Sequence, residues 1–370
     1  MGVAKRRGLN LYGQIPAWFD NSGPENDVVI STRIRVARNI EGYKFPGRAS
    51  PKEKMKIFNE AASVIKSVPR KLFGDGFEVV NFGRLRKLEQ QFLIEERIAS
   101  VDLLRGEGER GVACDPSRRV SVMINEEDHL RLQGMDSGFH SFDIWEILDL
   151  LDDYVGGRLK FAYSGRIGFL TSCPTNSGTG LRISYLLHLP GLVLTKAIDA
   201  VLHGASQMGI GARGFFGEYS EVVGNYFQLS NQASLGAGER DFIDSTAKVI
   251  REVIGHERKS RERLMADARL ELSDKVFRAL GILQNARTLT FNELLSLTSA
   301  LRIGVECGIC DGLTVDEINK MITICMPAHL HIHRSLEDAQ KDLDVSRADL
   351  VRDLLTKKKR RTPRRGALSS

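Results

Sequence analysis

The hydrophobic period of this 370-residue chain changes once, near residue 239. Before that point, stretches of alternating apolar and polar residues are interleaved with stretches of helical period. Beyond it the pattern is almost wholly helical. A strand and a helix place their apolar side chains with periods of 2 and 3.6, so one pattern cannot serve for the other without turning its apolar face to water. The change therefore predicts an α+β fold: a mixed α and β portion followed by an all-α portion.

Within the mixed portion, residues 28–35 alternate as a strand, with Val28, Ile30, Thr32 and Ile34 on one face and Arg33 and Arg35 on the other. Ser50-Pro51-Lys52-Glu53 combines a capping box with proline at the first helical position, predicting a helix to about residue 67. Helices are also expected over 85–104, 142–155 and 195–208, and strands over 118–125, 159–163, 167–172, 182–188, 213–216 and 225–230. In the helical portion Thr290…Glu293 and Thr314…Glu317 form two further capping boxes. The expected organisation is an irregular lead-in (1–26), a mixed domain (27–259), a helical domain (260–355) and a basic tail (356–370).

The net charge of +6 is a property of the ends. Lys5, Arg6 and Arg7 carry three positive charges, and seven more lie between Lys357 and Arg365, with no acid among them; without these ten the body carries −4. The tail reads as a solvated, disordered end, and nucleic acid is not expected as a partner. Residues 1–20 lack an apolar signal core, and the longest uncharged apolar run, 185–195, is too short to span a bilayer. Five cysteines, an odd number spread along the chain, fit a reducing cytoplasm.

Two motifs carry less than they suggest. Gly209-Ile-Gly211-Ala-Arg-Gly214 matches G-x-G-x-x-G, but a helix precedes it and a strand follows, the reverse of a dinucleotide site. Cys307, Cys310, Cys325 and His329 could be four zinc ligands, but they lie on apolar helices and read as core residues, so no metal-ligating set is assigned.

Four segments concentrate the chemistry. Ser31-Thr-Arg33-Ile-Arg35 places two guanidiniums on one strand face. Asn125-Glu126-Glu127-Asp128-His129-Leu-Arg131 packs three carboxylates, a histidine and an arginine into seven residues. Cys173-Pro-Thr-Asn-Ser-Gly-Thr-Gly-Leu-Arg182 is a loop between strands. Arg213-Gly-Phe-Phe-Gly-Glu218-Tyr-Ser-Glu221 adds an arginine and two carboxylates. Arginine forks pair bidentately with phosphate oxygens, so Arg33, Arg35, Arg131, Arg182 and Arg213 with Mg2+ would form a triphosphate site without a P-loop. Glu127 with Glu218 or Glu221 suits a cationic acceptor, for which a guanidinium is the natural candidate; one carboxylate can take its proton, and Cys173 as thiolate would add negative charge.

STRIRVARN, NEEDHLR, CPTNSGTGLR and RGFFGEYSE, in that order, resemble the signatures of the phosphagen (guanidino) kinase superfamily, over roughly residues 20–350. The chain most resembles the bacterial protein-arginine kinases of the McsB type: little precedes the STRIR strand, the helical portion follows the mixed one, and Phe216 stands where small-molecule arginine kinases carry arginine. The resemblance implies an antiparallel sheet flanked by helices, similar to glutamine synthetase, with a C-terminal helical domain that dimerises. It implies transfer of the ATP γ-phosphoryl group to protein arginine, Clp-type proteolysis of the marked proteins and a zinc-binding activator. The nucleotide site it implies comprises Ser31, Thr32, Arg33, Ile34 and Arg35; Arg97; Arg131; Arg182, Ile183, Ser184, Tyr185 and Leu186; and Arg213, Gly214, Phe215, Phe216, Gly217 and Glu218. Glu127, Glu218, Glu221 and Cys173 would be catalytic.

Two positions depart from the family pattern. Arg97 replaces a histidine at the base or ribose position, and Leu343 replaces the first arginine of R-D-x-x-R-A, a regulatory phosphoarginine pocket whose remaining residues here are Asp344, Arg347 and Ala348. Loss of that guanidinium fork predicts weakened or absent activation by phosphoarginine. The alternatives are a free-guanidine kinase and a non-catalytic phosphoarginine-binding adaptor.

Overall fold

A computed structural model describes residues 15–74, 76–215, 222–334 and 343–359, with residues 357–359 described by backbone alone. Ten strands are present among them: β1 (Val29–Arg38), β2 (Glu78–Asn81), β3 (Gly111–Cys114), β4 (Val120–Ile124), β5 (Leu130–Ser137), β6 (Tyr163–Ser164), β7 (Gly168–Phe169), β8 (Leu181–His188), β9 (Ile210–Arg213) and β10 (Tyr226–Asn231). Eight form one antiparallel sheet in the order β2-β3-β4-β5-β1-β8-β10-β9, and β6 and β7 form a small hairpin beside it.

The helices are α1 (Pro51–Lys66), α2 (Arg70–Phe73), α3 (Lys87–Glu95), α4 (Val101–Arg105), α5 (Ser141–Gly156), α6 (Pro190–Leu194), α7 (Ile198–Gln207), α8 (Glu239–Asp267), α9 (Arg269–Asn285), α10 (Phe291–Glu306), α11 (Val315–Ile324), α12 (Pro327–Arg334) and α13 (Leu343–Lys359). The Ser50–Glu53 box opens α1 as expected, with the Glu53 carboxylate accepting from the Ser50 amide at 2.8 Å. Thr314 makes a full box on α11, whereas Thr290 caps α10 through its hydroxyl.

Alternation gives the sheet two unlike faces. On one, Ile34, Val36, Leu130, Leu132, Ile183, Tyr185, Leu187 and Leu229 join side chains of α1, α5 and α8 in the main core. Each large apolar side chain buried there contributes about 1.5–3 kcal/mol. The other face carries Arg33 and Arg35, with Gln133 and Arg182 as cross-strand neighbours of Arg35. It is flanked on one side by an apolar cluster of α3, α4 and Met123, and on the other by the helical portion. There Ile30, Met135 and Leu186 of the sheet pack in one cluster with Trp18 and Phe19 of the lead-in, Phe215, Tyr226 and the inner faces of α9–α11. The arginines are thus framed by packed apolar walls.

Several expected elements differ. The helix expected over 85–104 is two helices, α3 and α4, because Arg97 takes a left-handed backbone (φ 60). The helix expected over 195–208 is α7, which starts three residues later than expected, with Lys196 left-handed (φ 59) between it and the short α6. The strands expected over 159–163 and 167–172 shrink to the two-residue β6 and β7, and the one expected over 213–216 lies at 210–213. Strands β2, β3 and β5 are additions to the expected set: β2 and β3 are four residues each, and β3, buried throughout, lacks the polar half of a strand pattern, whereas β5 alternates over 130–133 directly after the acidic segment. The helix α8 runs without a break across residue 260, its first half in the sheet's core and its last turns, at Leu264 and Met265, against the helical cluster. No helix among the described residues is long and apolar enough to cross a membrane.

Candidate active site

β1 lies at the middle of the sheet, so its outward side chains sit where neighbouring strands can crowd them. Arg33 stands opposite Ser184 and Met135, and Arg35 opposite Arg182 and Gln133. The Arg33 Nε donates to Ser184 Oγ at 3.4 Å, and an Arg182 nitrogen donates to Ser230 Oγ at 3.2 Å. The charges acting most strongly on Arg33 are four further cations, Arg35, Arg97, Arg182 and Arg131. Burial first, and this repulsion second, push its pKa well below the ordinary arginine value. A cation cluster that raises its own free energy is arranged to receive an anion of several charges.

Arg38, three residues along the same strand, behaves otherwise. It is buried against Asp152 at 2.6 Å, donates to the Ala37 and Thr179 carbonyls, and lies 3.5 Å from the Phe169 ring centroid. Its role is to hold the β6–β7 hairpin to the sheet.

The acidic segment forms the β4–β5 turn, which Asn125 permits by taking a left-handed backbone (φ 56). The Glu126 side chain is fully buried and accepts from Ser100 and from Arg131 at 2.8 Å. The Glu127 side chain is 41% exposed and pairs with the second Arg131 nitrogen at 2.8 Å. Burial raises the Glu127 pKa; Arg131 opposes this, while Asp128 and Glu126 add to it. Arg131, expected on the nucleotide, is thus paired within the fold with both Glu126 and Glu127.

Asp128 joins this turn to the cysteine loop. Its buried Oδ1 accepts from Asn39 Nδ2 at 2.6 Å and from the Ser172 amide at 2.7 Å, while the Ser172 hydroxyl donates to the Glu127 carbonyl at 2.7 Å. Asn176 Nδ2 reaches Glu127 at 3.5 Å. Cys173, half-buried, is fixed within the same clamp, its sulfur 3.0 Å from Thr175 Oγ1. His129 is part of the scaffold: Nδ1 accepts from the Ile40 amide, Nε2 donates to the Lys44 carbonyl, and burial holds it neutral.

Other expected positions divide by face. Thr32, Ile34, Ile183 and Tyr185 turn to the sheet's opposite side; Thr32 bonds the Gly138 carbonyl, and the Tyr185 hydroxyl meets Ser141. Ser31 and Gly214 are buried, and Leu186 and Phe215 belong to the apolar wall. Arg213 closes β9 opposite Gln228. Phe216, Gly217, Glu218 and Glu221 lie outside the described residues. In the helical portion Arg347 and Ala348 are buried and Asp344 is exposed; Arg347 donates to the Cys325 carbonyl at 3.0 Å, the Leu289 carbonyl at 2.7 Å and Asp344. Leu343 packs against the helical cluster. Cys310 and Cys325 are buried in that cluster, and His329 bonds Glu95 and Glu96.

Sequence reasoning missed Asn39, Asp128, Ser172, Gln133 and Trp18 as site-building residues. Asn39 and Asp128 were visible as polar residues inside the quoted motifs, but their pairing spans 89 positions. Trp18 gave no signal in a lead-in without periodicity.

An antiparallel sheet presenting arginines beside an acidic turn is the arrangement expected of a guanidino phosphotransferase. The family model described as ATP:guanido phosphotransferase, C-terminal catalytic domain, matches residues 60–260, and that described as Protein-arginine kinase McsB C-terminal domain matches 269–365. The chain is 39% identical to a protein-arginine kinase of Moorella thermoacetica over 91% of its own length and 97% of the relative's. It is 37% identical to one of Desulforamulus reducens over 91% and 95%. Among solved structures, a duplicated taurocyamine kinase of Schistosoma mansoni with bound transition-state-analogue components matches with TM-score 0.59 at 25% identity, covering 66% of this chain and 35% of that one. Lombricine kinase shares the fold, with TM-score 0.56 at 23% identity over 66% and 69%. The chain belongs to the protein-arginine kinase family of ATP:guanido phosphotransferases.

Proposed function

We propose that this protein transfers the γ-phosphoryl group of ATP to the guanidinium of arginine residues in proteins. The observation that carries the reading is the juxtaposition of a self-repelling arginine face with a clamped acidic turn. Arg33, Arg35, Arg131, Arg182 and Arg213, with Arg97 beside them, take the nucleotide phosphates. Glu127 orients the acceptor guanidinium and takes one of its protons as the N–P bond forms and the bond from γ-phosphorus to the ADP oxygen breaks. Glu218 or Glu221 supplies the second acceptor carboxylate, and Cys173 adds polarity beside it. Mg2+ enters with the nucleotide, which suits a face made of cations, and when bound neutralises phosphate charge.

The same reading divides the chain into a catalytic part (27–259) and a helical, dimerising part (260–355), and places it in the cytoplasm with a zinc-binding activator and a Clp-type protease as partners. It takes the phosphoarginine response to be weak or absent, a view supported by Arg347, whose guanidinium is bound to backbone carbonyls within the fold.

The test is a transfer assay with Mg-ATP, an arginine-rich protein and free arginine, read by mass spectrometry at neutral pH because the N–P bond is acid-labile. Phosphoarginine on the protein, lost in Glu127→Ala, is the expected result. Phosphate on free arginine alone would make the chain a phosphagen-type kinase. ATP binding without transfer to either, with a candidate activator added, would favour the adaptor.

A further inference from the structure

The segment Glu95-Glu96-Arg97 touches both the helical portion and the arginine face. His329, near the start of α12, lies between the two carboxylates: Nδ1 is 2.8 Å from Glu95 and Nε2 is 2.9 Å from Glu96. Two carboxylate partners require both ring nitrogens to donate, so the ring is an imidazolium. Burial pulls the His329 pKa down, but the hydrogen bonds and charges of Glu95 and Glu96 outweigh it and hold the value above the ordinary histidine range. Glu95 also accepts from the Ala328 and His329 amides, and Glu96 pairs with Arg118 at 2.6 Å. The Phe92 ring covers the imidazole at 4.5 Å.

Arg97 follows directly. Its guanidinium lies 4.6 Å from the Trp18 ring and 5.1 Å from that of Phe215, and donates to the Phe215 carbonyl at 2.7 Å. Its own carbonyl accepts from Gln133 at 2.7 Å, and the Glu96 carbonyl accepts from Trp18 Nε1 at 3.3 Å. Arg97 is one of the cations acting on Arg33. Holding it there works against charge repulsion and needs an anchor outside the cluster.

We infer that His329 of the helical portion is a positioning residue for the nucleotide site, clamping Glu95 and Glu96 so that Arg97 is held in the arginine cluster and on the Phe215 backbone. This rests on the reading that the arginine face binds ATP. It makes α12 a lever: whatever displaces the start of that helix lowers ATP affinity at a site to which it contributes no side chain.

The experiment titrates Mg-ATP against the full chain carrying Trp145→Phe, leaving Trp18 as the reporting indole, alongside steady-state kinetics. In His329→Gln the Kd and KM for ATP are expected to rise about tenfold, with kcat within about twofold and an altered Trp18 emission in the nucleotide-free protein. Glu95→Gln, which keeps an acceptor for the α12 amides, should act in the same direction and covers the case in which His329→Gln does not fold. In an Arg97→Gln background the His329 effect should vanish, as in a double-mutant cycle of coupled residues. Unchanged ATP affinity in His329→Gln or Glu95→Gln, with the parent binding normally, would overturn the inference alone, as would additive effects in the cycle. Failure of the parent to bind ATP would overturn the functional reading and this inference with it.

Discussion

The helical portion buries arginines against acceptors, whereas the half-buried arginines on one face of the sheet crowd one another. In the helical portion Arg347 and Arg302 meet acceptors: Arg347 the Cys325 and Leu289 carbonyls, Arg302 the Asn319 side chain at 3.0 Å and the Asn26 carbonyl at 2.6 Å. On the sheet, Arg33 faces other cations. A buried charge matched with acceptors is a structural member whose removal leaves orphaned partners. A half-buried charge crowded by like charges raises the energy of the protein, and under the proposed function its compensation comes from a ligand. On that proposal the difference separates the residues that build this protein from those that operate it.

That contrast can be broken by experiment. Arg33→Met should weaken ATP binding by about 10–10²-fold, since a charge-assisted contact to phosphate is worth roughly 1.5–3 kcal/mol. Folding depresses the pKa of Arg33 and so disfavours its charged form, which means the neutral side chain should raise the Tm of the nucleotide-free protein. A relief of about 1 kcal/mol corresponds to about 1–2 °C in a chain of 370 residues. A fall in Tm would show that Arg33 is structural after all. Arg347→Met should do the reverse, costing about 3 kcal/mol in urea unfolding with ATP affinity in the folded protein unchanged.

Smaller effects sharpen the account of the acceptor side. Asp128→Ala releases the Asn39 and Ser172 contacts, so kcat should fall about tenfold as Glu127 and Cys173 lose their relative placement, with the Kd for ATP unaltered. Calorimetric titration with ATP beside the transfer assay separates the two quantities. The smallest effect is a pH shift. Glu127 acts when ionised and its pKa is raised, so kcat/KM should be lost, as pH falls, at higher pH than for an ordinary carboxylate. Arg131 opposes the raise, so Arg131→Gln should move this acid limb further up in the pH profile of kcat/KM.

Much of the site was legible because local chemistry announces itself. Arg33 and Arg35 were assigned to one face from alternation alone, and β1 bears this out. The Ser50 box and the helical run beyond residue 239 were equally plain. Arg38 shows the limit. It has the same residue type and the same strand as Arg33, yet Asp152 and Phe169, more than 110 positions away, make it structural. Arg131 sat among three acids in the sequence, but its two-pronged grip on Glu126 and Glu127 required coordinates.

By itself the sequence determined what depends on near neighbours: which segments are strands or helices where one face stays wet, where helices begin, and which side chains along β1 share a face. The tertiary structure decided what depends on distant partners. It broke the expected 85–104 helix at Arg97, because that guanidinium is held between Trp18 and Phe215 while the residues before it are tied to His329. It also sorted the arginines into those held chiefly by acceptors within the fold and those crowded by other cations. A side chain's charge is written in its residue type, but the energy of that charge is set by what the fold brings within a few ångströms of it.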